Sequence, residues 1–235
     1  MPAEKPLFDI FTAVPGRYDL INRVITLGLD RRWRRRAARE CLASQPRRVL
    51  DLCCGTGDLA IDLARPTRGS LEITGIDFSP PMLEIAATKA AKSGGDEISF
   101  IHGDIASLPF PDGHFDCAGI SFAFRNLTYR NPLTRQYLAE IRRVLAGNGR
   151  FVIVETSQPG CRLIRKLFHL YLRGFAFPVA RRLSGNRAAY HYLADSASRF
   201  FTDDEVEEML LAAGFRRVSH RPLFFGAAAV HTAVK

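Results

Sequence analysis

A chain of 235 residues, 47% of them apolar, can bury one sizeable core, so a single domain is expected over residues 1–235. Its five cysteines are odd in number and lack paired C-x-x-C spacing, which argues against a disulfide framework and predicts neither a zinc site nor any other metal. No apolar run reaches the roughly 20 residues of a membrane span and no secretory signal is apparent, so a cytoplasmic protein is expected; the net charge of +9 predicts an anionic partner surface, either nucleic acid or membrane.

The first predicted elements are two helices. Residues 7–29 carry apolar positions at helical spacing, and Asp30 is expected to cap a second helix over residues 31–43. Residues 1–45 therefore form a predicted helical cap, which would cover the ligand site of the following domain. The substrate-pocket candidates in it are Tyr18, Asn22 and Trp33, and Asp19 is a candidate catalytic residue. Ordinary helix packing explains the polar ones about as well.

A glycine-rich turn follows the first predicted strand, in the segment R-V-L-D-L-C-C-G-T-G-D-L-A over residues 48–60. Gly55 and Gly57 allow the backbone to approach a ligand closely, and the first amides of the next helix are unpaired donors. The turn also fits the loose G-x-G-x-x-A dinucleotide pattern. Asp51 and Asp58 favour another ligand, because carboxylates repel a pyrophosphate and attract a sulfonium cation that carries an α-ammonium group. Alternatively, both carboxylates are structural, one bonding loop amides and one starting the helix.

Three more strand patterns follow, separated by helix patterns. The second strand ends at Asp77, twenty residues beyond Gly57, where a carboxylate can take ribose hydroxyls in a βαβ unit. The third closes on Asp104 and the fourth ends at Ser121. This alternation predicts an α/β fold with a doubly wound, mostly parallel sheet, whose cofactor-binding core spans residues 46–157.

Arg125 and Asn126 follow the fourth strand, at the edge where ligands bind in open α/β sheets. A fixed guanidinium can polarise an acceptor oxygen or hold a carboxylate in the cap, and the amide beside it can both donate and accept. Both are therefore candidate catalytic residues. A structural loop arginine has equal weight as an alternative.

The C-terminal third is predicted to contain a helical insertion and a hairpin. Residues 158–200 follow the fifth strand and include a bent amphipathic stretch, 161–183, in which apolar patches alternate with Arg and Lys. This stretch could pack on the domain or lie on an anionic membrane. Residues 201–235 begin with a capping box at Thr202 and continue as a helix and two hairpin strands.

These segments together resemble the class I S-adenosylmethionine-dependent methyltransferases. The matching motifs are D-x-x-x-G-T-G, I-D-F-S-P-x-M-L and G-D-I-x-x-L-P-F-P-D-x-x-F-D. The resemblance implies that Asp77 binds the adenosine ribose and that Asp104 and the Ile105 amide bind the adenine. It places the glycine loop against the methionine end of the cofactor. The full set of expected cofactor-binding residues is Asp51, Gly55, Thr56, Gly57, Asp77, Phe78, Asp104, Ile105 and Ser121.

Longer motifs are similar to those of the demethylmenaquinone and ubiquinone-pathway C-methyltransferases. They are Y-D-L-I-N-x-x-x-x-L-G-L-D-x-x-W-R, S-F-A-F-R-N-L and R-R-V-L-A-G-N-G-R-F-V-I-V-E-T-S-Q-P, and the likeness covers nearly the whole chain. It implies a seven-stranded, Rossmann-like sheet, S-adenosylmethionine as cofactor, and methyl transfer to a ring carbon of a reduced polyprenyl naphthoquinol or benzoquinol, foremost demethylmenaquinol. Because the polyprenyl acceptor is dissolved in the bilayer, peripheral contact of residues 161–183 with the inner face of the cytoplasmic membrane is expected.

Three alternatives to this chemistry were weighed. A nucleic-acid methyltransferase that acts on an exocyclic amine is expected to carry D/N-P-P-Y/F after the fourth strand; this chain has S-F-A-F there, so no nucleic-acid partner is expected. A C- or O-methyltransferase for another lipidic or aromatic molecule differs only in its acceptor. A binding module without catalysis is opposed by the intact carboxylates and glycines of the motifs.

Methylation of a ring carbon also needs a group that helps to ionise the quinol hydroxyl. The candidates are Arg125 with Asn126 acting through a water, Asp19 in the cap, and His169 or His191 in the insertion. The histidines do not rank above ordinary surface residues. The oligomeric state is not fixed by the sequence, which is compatible with a homodimer.

Overall fold

The computed structural model describes residues 15–67, 69–95, 97–184 and 200–235, without the side chains of residues 15–18 and 184. Its strands are β1 Arg48–Leu52, β2 Glu72–Asp77, β3 Ser99–His102, β4 Phe115–Ser121, β5 Leu145–Thr156, β6 Arg216–Leu223 and β7 Ala228–Val234. They form one sheet in the order β3-β2-β1-β4-β5-β7-β6. Neighbours are parallel from β3 to β5, and β7 is antiparallel to both β5 and β6. The predicted seven-stranded, mostly parallel sheet is confirmed.

Helices cover both faces of this sheet. They are α1 Pro15–Ile25, α2 Leu29–Leu42, α3 Asp58–Thr67, α4 Pro80–Lys92, α5 Phe124–Thr128, α6 Thr134–Val144, α7 Arg162–Tyr171, α8 Phe177–Ser184 and α9 Asp203–Ala212. Successive residues of a strand face opposite sides. Val49 accordingly joins the buried cluster formed with α2 and α3, and Leu50 joins the one formed with α6 and α9. Strand β1 is therefore buried on both faces, which explains its nearly continuous apolar run.

The strand order places a switch point beside β1. The chain runs outward from β1 through β2 to β3 and then returns to the other side of β1 as β4. In register, Leu52 lies opposite both Ile76 of β2 and Ile120 of β4, so the three carboxyl ends are level. Ligands of doubly wound sheets bind at such a point.

The start of α2 differs from the prediction. Gly28, with a φ of 77°, is its N-cap, so the prediction that Asp30 caps this helix is wrong. Asp30 lies buried inside the first turn, where it binds Arg34 at 3.1 Å and accepts a hydrogen bond from the Thr26 hydroxyl at 2.9 Å. The first turn tolerates a carboxylate because its unpaired amides carry partial positive charge.

The insertion after β5 is helical over residues 162–184, and the structure shows a local irregularity where the sequence predicts a bend. A π-helical segment, Leu172–Ala176, joins α7 to α8, and the Phe177 amide bonds the Leu172 carbonyl five residues back. Pro178 has no amide to donate to the preceding turn, which accounts for the local widening. Helix α1 packs on α8, and the Tyr171 hydroxyl donates to the Ile25 carbonyl at 2.9 Å. The cap and the insertion thus pack on each other.

The C-terminal segment agrees with its prediction. Thr202 and Glu205 form the capping box of α9. Strands β6 and β7 form the hairpin, joined by the short 3-10 turn Phe224–Gly226, and β6 is the edge strand. Within the described ranges, no helix has the length and apolar character that crossing a bilayer requires.

Candidate active site

A cavity of about 450 Å³ lies at the carboxyl ends of β1, β2 and β4, with α1 on one side. Most of the predicted site residues line it, namely Asp19, Asn22, Asp51, Gly55, Thr56, Asp77, Phe78, Asp104, Ile105, Ser121 and Asn126. The described lining does not include Gly57, Trp33 or Arg125. The side chain of Tyr18 and the whole of His191 lie outside the described residues. The sheet has therefore brought together residues that are more than 100 positions apart in sequence.

The loop after β1 has left-handed backbone at three positions, with φ of 49° at Cys53, 53° at Gly55 and 76° at Gly57. Gly57 is required by packing, because a Cβ there would come within 2.9 Å of the Ala86 Cβ. At Gly55 no described atom lies within 4 Å of the position that a Cβ would take, and the residue faces the cavity. Cys53 is the non-glycine residue of the loop with left-handed backbone, which strains it, and strain of this kind is concentrated at ligand sites. The loop thus presents open backbone to a ligand.

Asp77, at the end of β2, holds this loop in place. Its Oδ2 accepts a hydrogen bond from the Gly55 amide at 2.8 Å, and its Oδ1 accepts from the Ser79 amide at 2.9 Å. Burial raises the pKa of this carboxyl, although the two amides oppose the shift. A carboxylate oxygen has two lone pairs, so Asp77 can also accept hydroxyl groups of a ligand in the cavity.

Asp51 is 1% exposed and contributes to the cavity wall. Its Oδ2 accepts from the Ala60 amide at 2.9 Å, in the first turn of α3, whereas its Oδ1 has no hydrogen-bond partner among the described residues. Burial raises the pKa of Asp51 to about 8. A buried acceptor without a partner costs about 1–3 kcal/mol. A cationic group that reached this oxygen would remove that cost, whereas a pyrophosphate would not.

Asp104 and Ile105 form another part of the wall, together with Phe78. Asp104 is the N-cap of the 3-10 turn Ile105–Ser107 and accepts from the Ala106 amide at 2.8 Å. Its carboxylate is exposed, and the Ile105 side chain is buried. An apolar surface beside an exposed acceptor suits a heterocyclic base, which offers flat apolar faces and polar edges.

Helix α1 is fastened over the cavity by a group that we call the ion-pair chain: Asp19, Lys89, Asp58, Arg34 and Asp30. Asp19 accepts hydrogen bonds from the Thr56 hydroxyl and the Lys89 ammonium, both at 2.8 Å. Lys89 also contacts Asp58, whose other oxygen binds Arg34 at 2.9 Å. Burial opposes ionisation of Asp58, but Arg34 and Lys89 outweigh it and hold the pKa of this carboxyl below its ordinary value. Asp19 and Asp58 both line the cavity, but each already has a cationic partner.

Arg125 and Asn126 lie in different environments although they are adjacent in sequence. The buried guanidinium of Arg125 donates to Glu155 at 3.3 Å and to the Thr156 hydroxyl at 2.9 Å. Glu155 also accepts from the Arg125 backbone amide at 3.1 Å. Arg125 therefore binds a carboxylate of β5, not one in the cap. Asn126 lines the cavity, and its buried Oδ1 has no hydrogen-bond partner among the described residues.

Two further candidates lie away from the described cavity wall. His169 on α7 shares a hydrogen bond of 2.9 Å with Gln158, and burial together with Arg173 lowers its pKa. Trp33 packs behind the wall, with its ring centroid 6.2 Å from that of Phe122, which does line the cavity. Neither side chain reaches the space that a ligand would fill.

Sequence reasoning missed the wall that follows β4. It is formed by residues of the β4–α5 turn and of the segment that leads into α6: Phe122, Ala123, Leu127, Asn131, Pro132, Leu133 and Tyr137. The dipeptide Asn-Pro signals a turn and could have indicated a loop at this edge. The apolar members have the spacing of ordinary core positions, so no sequence signal separates them from the core.

Comparisons with known proteins show what this chain is similar to. The model of the ubiE/COQ5 methyltransferase family matches residues 2–235. A demethylmenaquinone methyltransferase of Thermus thermophilus is 41% identical over 94% of this chain and 98% of its own length. The ubiquinone/menaquinone biosynthesis C-methyltransferase UbiE of Geobacter sulfurreducens is 38% identical over 97% and 87%. A solved SAM-dependent methyltransferase of Thermotoga maritima, 19% identical over 93% of this chain and 98% of its own, has a TM-score of 0.59, which shows likeness of fold alone.

Proposed function

The chain belongs to the ubiE/COQ5 methyltransferase family, and we propose on this basis that it transfers the methyl group of S-adenosylmethionine to a ring carbon of a reduced polyprenyl quinol. The proposed acceptor is demethylmenaquinol, with a polyprenyl benzoquinol as the alternative ring. The observation that carries the proposal is one cavity that holds the predicted cofactor residues together with two buried oxygens, Asp51 Oδ1 and Asn126 Oδ1, that have no hydrogen-bond partner among the described residues. The carboxyl oxygen of Asp51 suits a cation, and the amide oxygen of Asn126 suits a hydroxyl donor.

The cofactor residues divide by the part of the molecule that they would bind. Asp77 would accept the ribose hydroxyls, and Asp104 with the Ile105 amide would bind the adenine edge. The open loop at Gly55 would lie against the methionine end, where Asp51 meets the α-ammonium group. Each of the three carboxylates would give a donor of the cofactor a charged acceptor, and such hydrogen bonds contribute about 1.5–3 kcal/mol, whereas the Ile105 amide would donate to the adenine.

When bound, S-adenosylmethionine supplies an electrophilic methyl group on a sulfonium leaving group. The residues of the chain would hold the acceptor so that its ring carbon meets this methyl group in line, and alignment of this kind accounts for a large share of the rate of two-substrate reactions. Asn126 Oδ1 would accept the hydrogen bond of a quinol hydroxyl and fix the rotation of the ring. A carboxamide is not a base at neutral pH, so the hydroxyl proton would leave through a water that Asn126 helps to orient. Once the C–S bond has broken and the new C–C bond has formed, the methylated ring carbon would lose its own proton and the oxygen would regain one, which restores the aromatic quinol.

The remaining wall suits an aromatic acceptor with an apolar tail. Phe122, Leu127 and Leu133 line the cavity on the side of Asn126. Burial of apolar surface contributes about 25 cal/mol per Å², so a naphthoquinol ring and the first prenyl units would gain from this wall without any charged contact.

We also infer that the protein binds an anionic bilayer through one apolar face. This face consists of the exposed side chains Leu20, Leu27, Leu163, Leu167, Leu170, Phe175, Phe224 and Phe225. Its parts adjoin one another, since α7 bonds the end of α1 through Tyr171 and the β6–β7 turn contacts α2 through the rings of Phe224 and Trp33. Basic residues of α7 and of the π-helical segment alternate with the apolar ones, namely Arg162, Arg165, Lys166 and Arg173.

Such a face would place the cavity beside the bilayer that holds the acceptor. Each basic side chain near an anionic surface contributes about 1 kcal/mol to binding. Bilayer contact would also let the polyprenyl chain stay in lipid while the ring enters the cavity, which avoids exposing that chain to water.

The proposal is tested by offering both rings to the purified protein. It is incubated with S-adenosylmethionine and either demethylmenaquinol or the benzoquinol precursor, each kept reduced, and the product is identified by mass spectrometry and NMR. A new carbon–methyl bond on one of the two rings is the expected result. Methylation of a hydroxyl oxygen would show that the acceptor atom is not carbon. Methylation of neither ring would show that the acceptor is a different molecule.

A further inference from the structure

A second concavity, which we call the basic groove, lies beside the cofactor cavity. It has a volume of about 310 Å³ and is formed by residues of α1, α2, α3 and α4. Seven cationic side chains line it against three carboxylates, so its lining is strongly positive. The two concavities share Asp19, Arg23, Arg34 and Asp58, and the cofactor cavity continues from this shared wall to Asp51 and Asp77.

The carboxylates of the groove do not neutralise its cations. They are shared among four of them, in the pairs Asp19–Lys89, Asp58–Lys89, Asp58–Arg34, Asp62–Arg65 and Asp62–Arg35. The other three cations, Arg23, Arg31 and Lys92, have no acidic partner within 4.0 Å among the residues that the structure describes. They belong to three different helices, α1, α2 and α4, and meet at one concavity. A solvated basic helix face would not bring cations from separate helices together in this way.

We propose that the basic groove binds a phosphate group, either of free phosphate or diphosphate or of an anionic lipid headgroup. Guanidinium groups bond phosphate oxygens through two parallel N–H donors, and an ammonium group supplies a compact charge beside them. The groove offers both kinds of donor, and Arg23, Arg31 and Lys92 form no ion pair with a described carboxylate, although Arg31 is near enough to Asp58 to help lower the pKa of that carboxyl. Its volume admits a phosphate or diphosphate and leaves room for bridging waters.

The lipid source has its own structural support. Arg23 lies three positions after Leu20, so these two side chains share one face of α1, and Leu27 follows in the left-handed turn after that helix. Both leucines are exposed, by 52% and 65%, and both belong to the apolar face described above. The groove therefore opens beside that face, and a headgroup could enter it while its acyl chains stay in the bilayer.

The test uses the full chain saturated with S-adenosylmethionine, so that anions cannot occupy the cofactor cavity. Diphosphate binding is measured by calorimetry, and vesicle binding by co-sedimentation with phosphatidylglycerol vesicles. The variant is Arg31→Glu with Lys92→Glu; neither residue lines the cofactor cavity. The matched control is Arg39→Glu with Arg135→Glu, which changes the net charge equally at exposed positions outside the groove. Circular dichroism checks that both variants fold, and the neutral pair Arg31→Gln with Lys92→Gln replaces a variant that does not.

The outcomes separate the two sources. A loss of diphosphate affinity of about tenfold or more in the groove variant, with little change in the control, is expected if free phosphates bind. If only vesicles bind, and only the groove variant loses binding, the lipid headgroup is the ligand. Equal losses in the groove variant and the control, or no binding of either probe, would overturn the proposal.

Discussion

At the scale of single residues, we expect the proposed contact of Asp51 with the cofactor to make binding sensitive to pH. Burial raises its pKa to about 8, so in the free protein this carboxyl is mostly protonated near neutrality. An ammonium group beside Oδ1 would stabilise the charged form and lower that pKa. Binding should then release a proton, and affinity should increase as the pH is raised from about 6 to about 8.

The measurement is calorimetry of S-adenosylmethionine binding to the wild type and to Asp51→Asn over this range. The variant keeps a side-chain oxygen for the Ala60 amide but loses the titration. Subtracting its profile also removes the titration of the cofactor's own amino group, which has a pKa near 7.7–8.0 in model compounds. The wild-type advantage should grow with pH; two parallel profiles would mean that no cation approaches Asp51.

Asn126 and Arg125 should respond differently to substitution. Asn126→Leu removes the oxygen that would orient the acceptor, so turnover should fall at least tenfold while S-adenosylmethionine affinity stays unchanged. Arg125→Ala leaves Glu155 buried without its partner, and losing one member of a buried pair costs about 3–5 kcal/mol, so the free energy of unfolding should decrease instead. Steady-state kinetics and denaturant unfolding on both variants distinguish the two effects. Unchanged turnover in Asn126→Leu would remove this residue from the mechanism.

Local pattern cannot reveal such partners. Arg125 was expected beside the acceptor because it follows a strand end, but its partner Glu155 is thirty residues further on and becomes a neighbour only when β5 pairs with β4. The position of Asp51 and Asp77 at the cavity was predictable for the opposite reason. Asp51 and Asp77 lie at the ends of apolar runs, and the parallel sheet places those ends along one edge.

At the scale of elements, α1 is held to the domain by the ion-pair chain and by the Thr56 contact. Asp19→Asn removes the charge that binds Lys89 and should loosen α1, so S-adenosylmethionine should dissociate faster, by a few-fold, and amides of α1 should exchange faster. The effect should be modest because the pair is about 30% exposed.

A matched control exists on α2. Glu40→Gln breaks the pair with Arg36, whose two side chains are exposed to nearly the same degree, 32% and 29% against 29% and 31% for Lys89 and Asp19. Stopped-flow dissociation and hydrogen exchange should detect no change in this control. If both variants behave alike, α1 does not gate the cavity.

Helices and strands with strong periodicity were predictable, whereas boundaries set by backbone geometry were not. The capping box at Thr202 follows from residue type and spacing. The start of α2 does not, because the left-handed backbone at Gly28, together with Leu27 at a φ of 53°, turns the chain before Asp30 is reached. In sequence, Asp30 has the residue type of a cap; in the structure it is a buried partner of Arg34.

At the scale of the whole molecule, the proposed bilayer contact rests on exposed apolar side chains of α7 and of the elements that adjoin it. Replacing Leu163, Leu167 and Leu170 by Gln should weaken binding to anionic vesicles at least tenfold, since each exposed leucine would otherwise enter the interface. Leu211→Gln is the control, because this leucine is exposed on α9, which packs on the opposite side of the sheet from α2 and is not part of the proposed apolar face. Co-sedimentation at two salt concentrations distinguishes the electrostatic contribution to vesicle binding, which salt weakens, from the apolar contribution. Binding that survives the triple substitution would place the contact elsewhere.

The central claim is that the acceptor is the reduced ring, because only a quinol is electron-rich enough for its carbon to attack a methyl group. The direct measurement is transfer of label from S-adenosylmethionine to demethylmenaquinone, with and without a reductant that converts it to the quinol. We expect labelled menaquinol only in the reduced reaction, and no lipid product when the reductant is omitted. Equal labelling of the oxidised quinone, or none in either reaction, would contradict the claim.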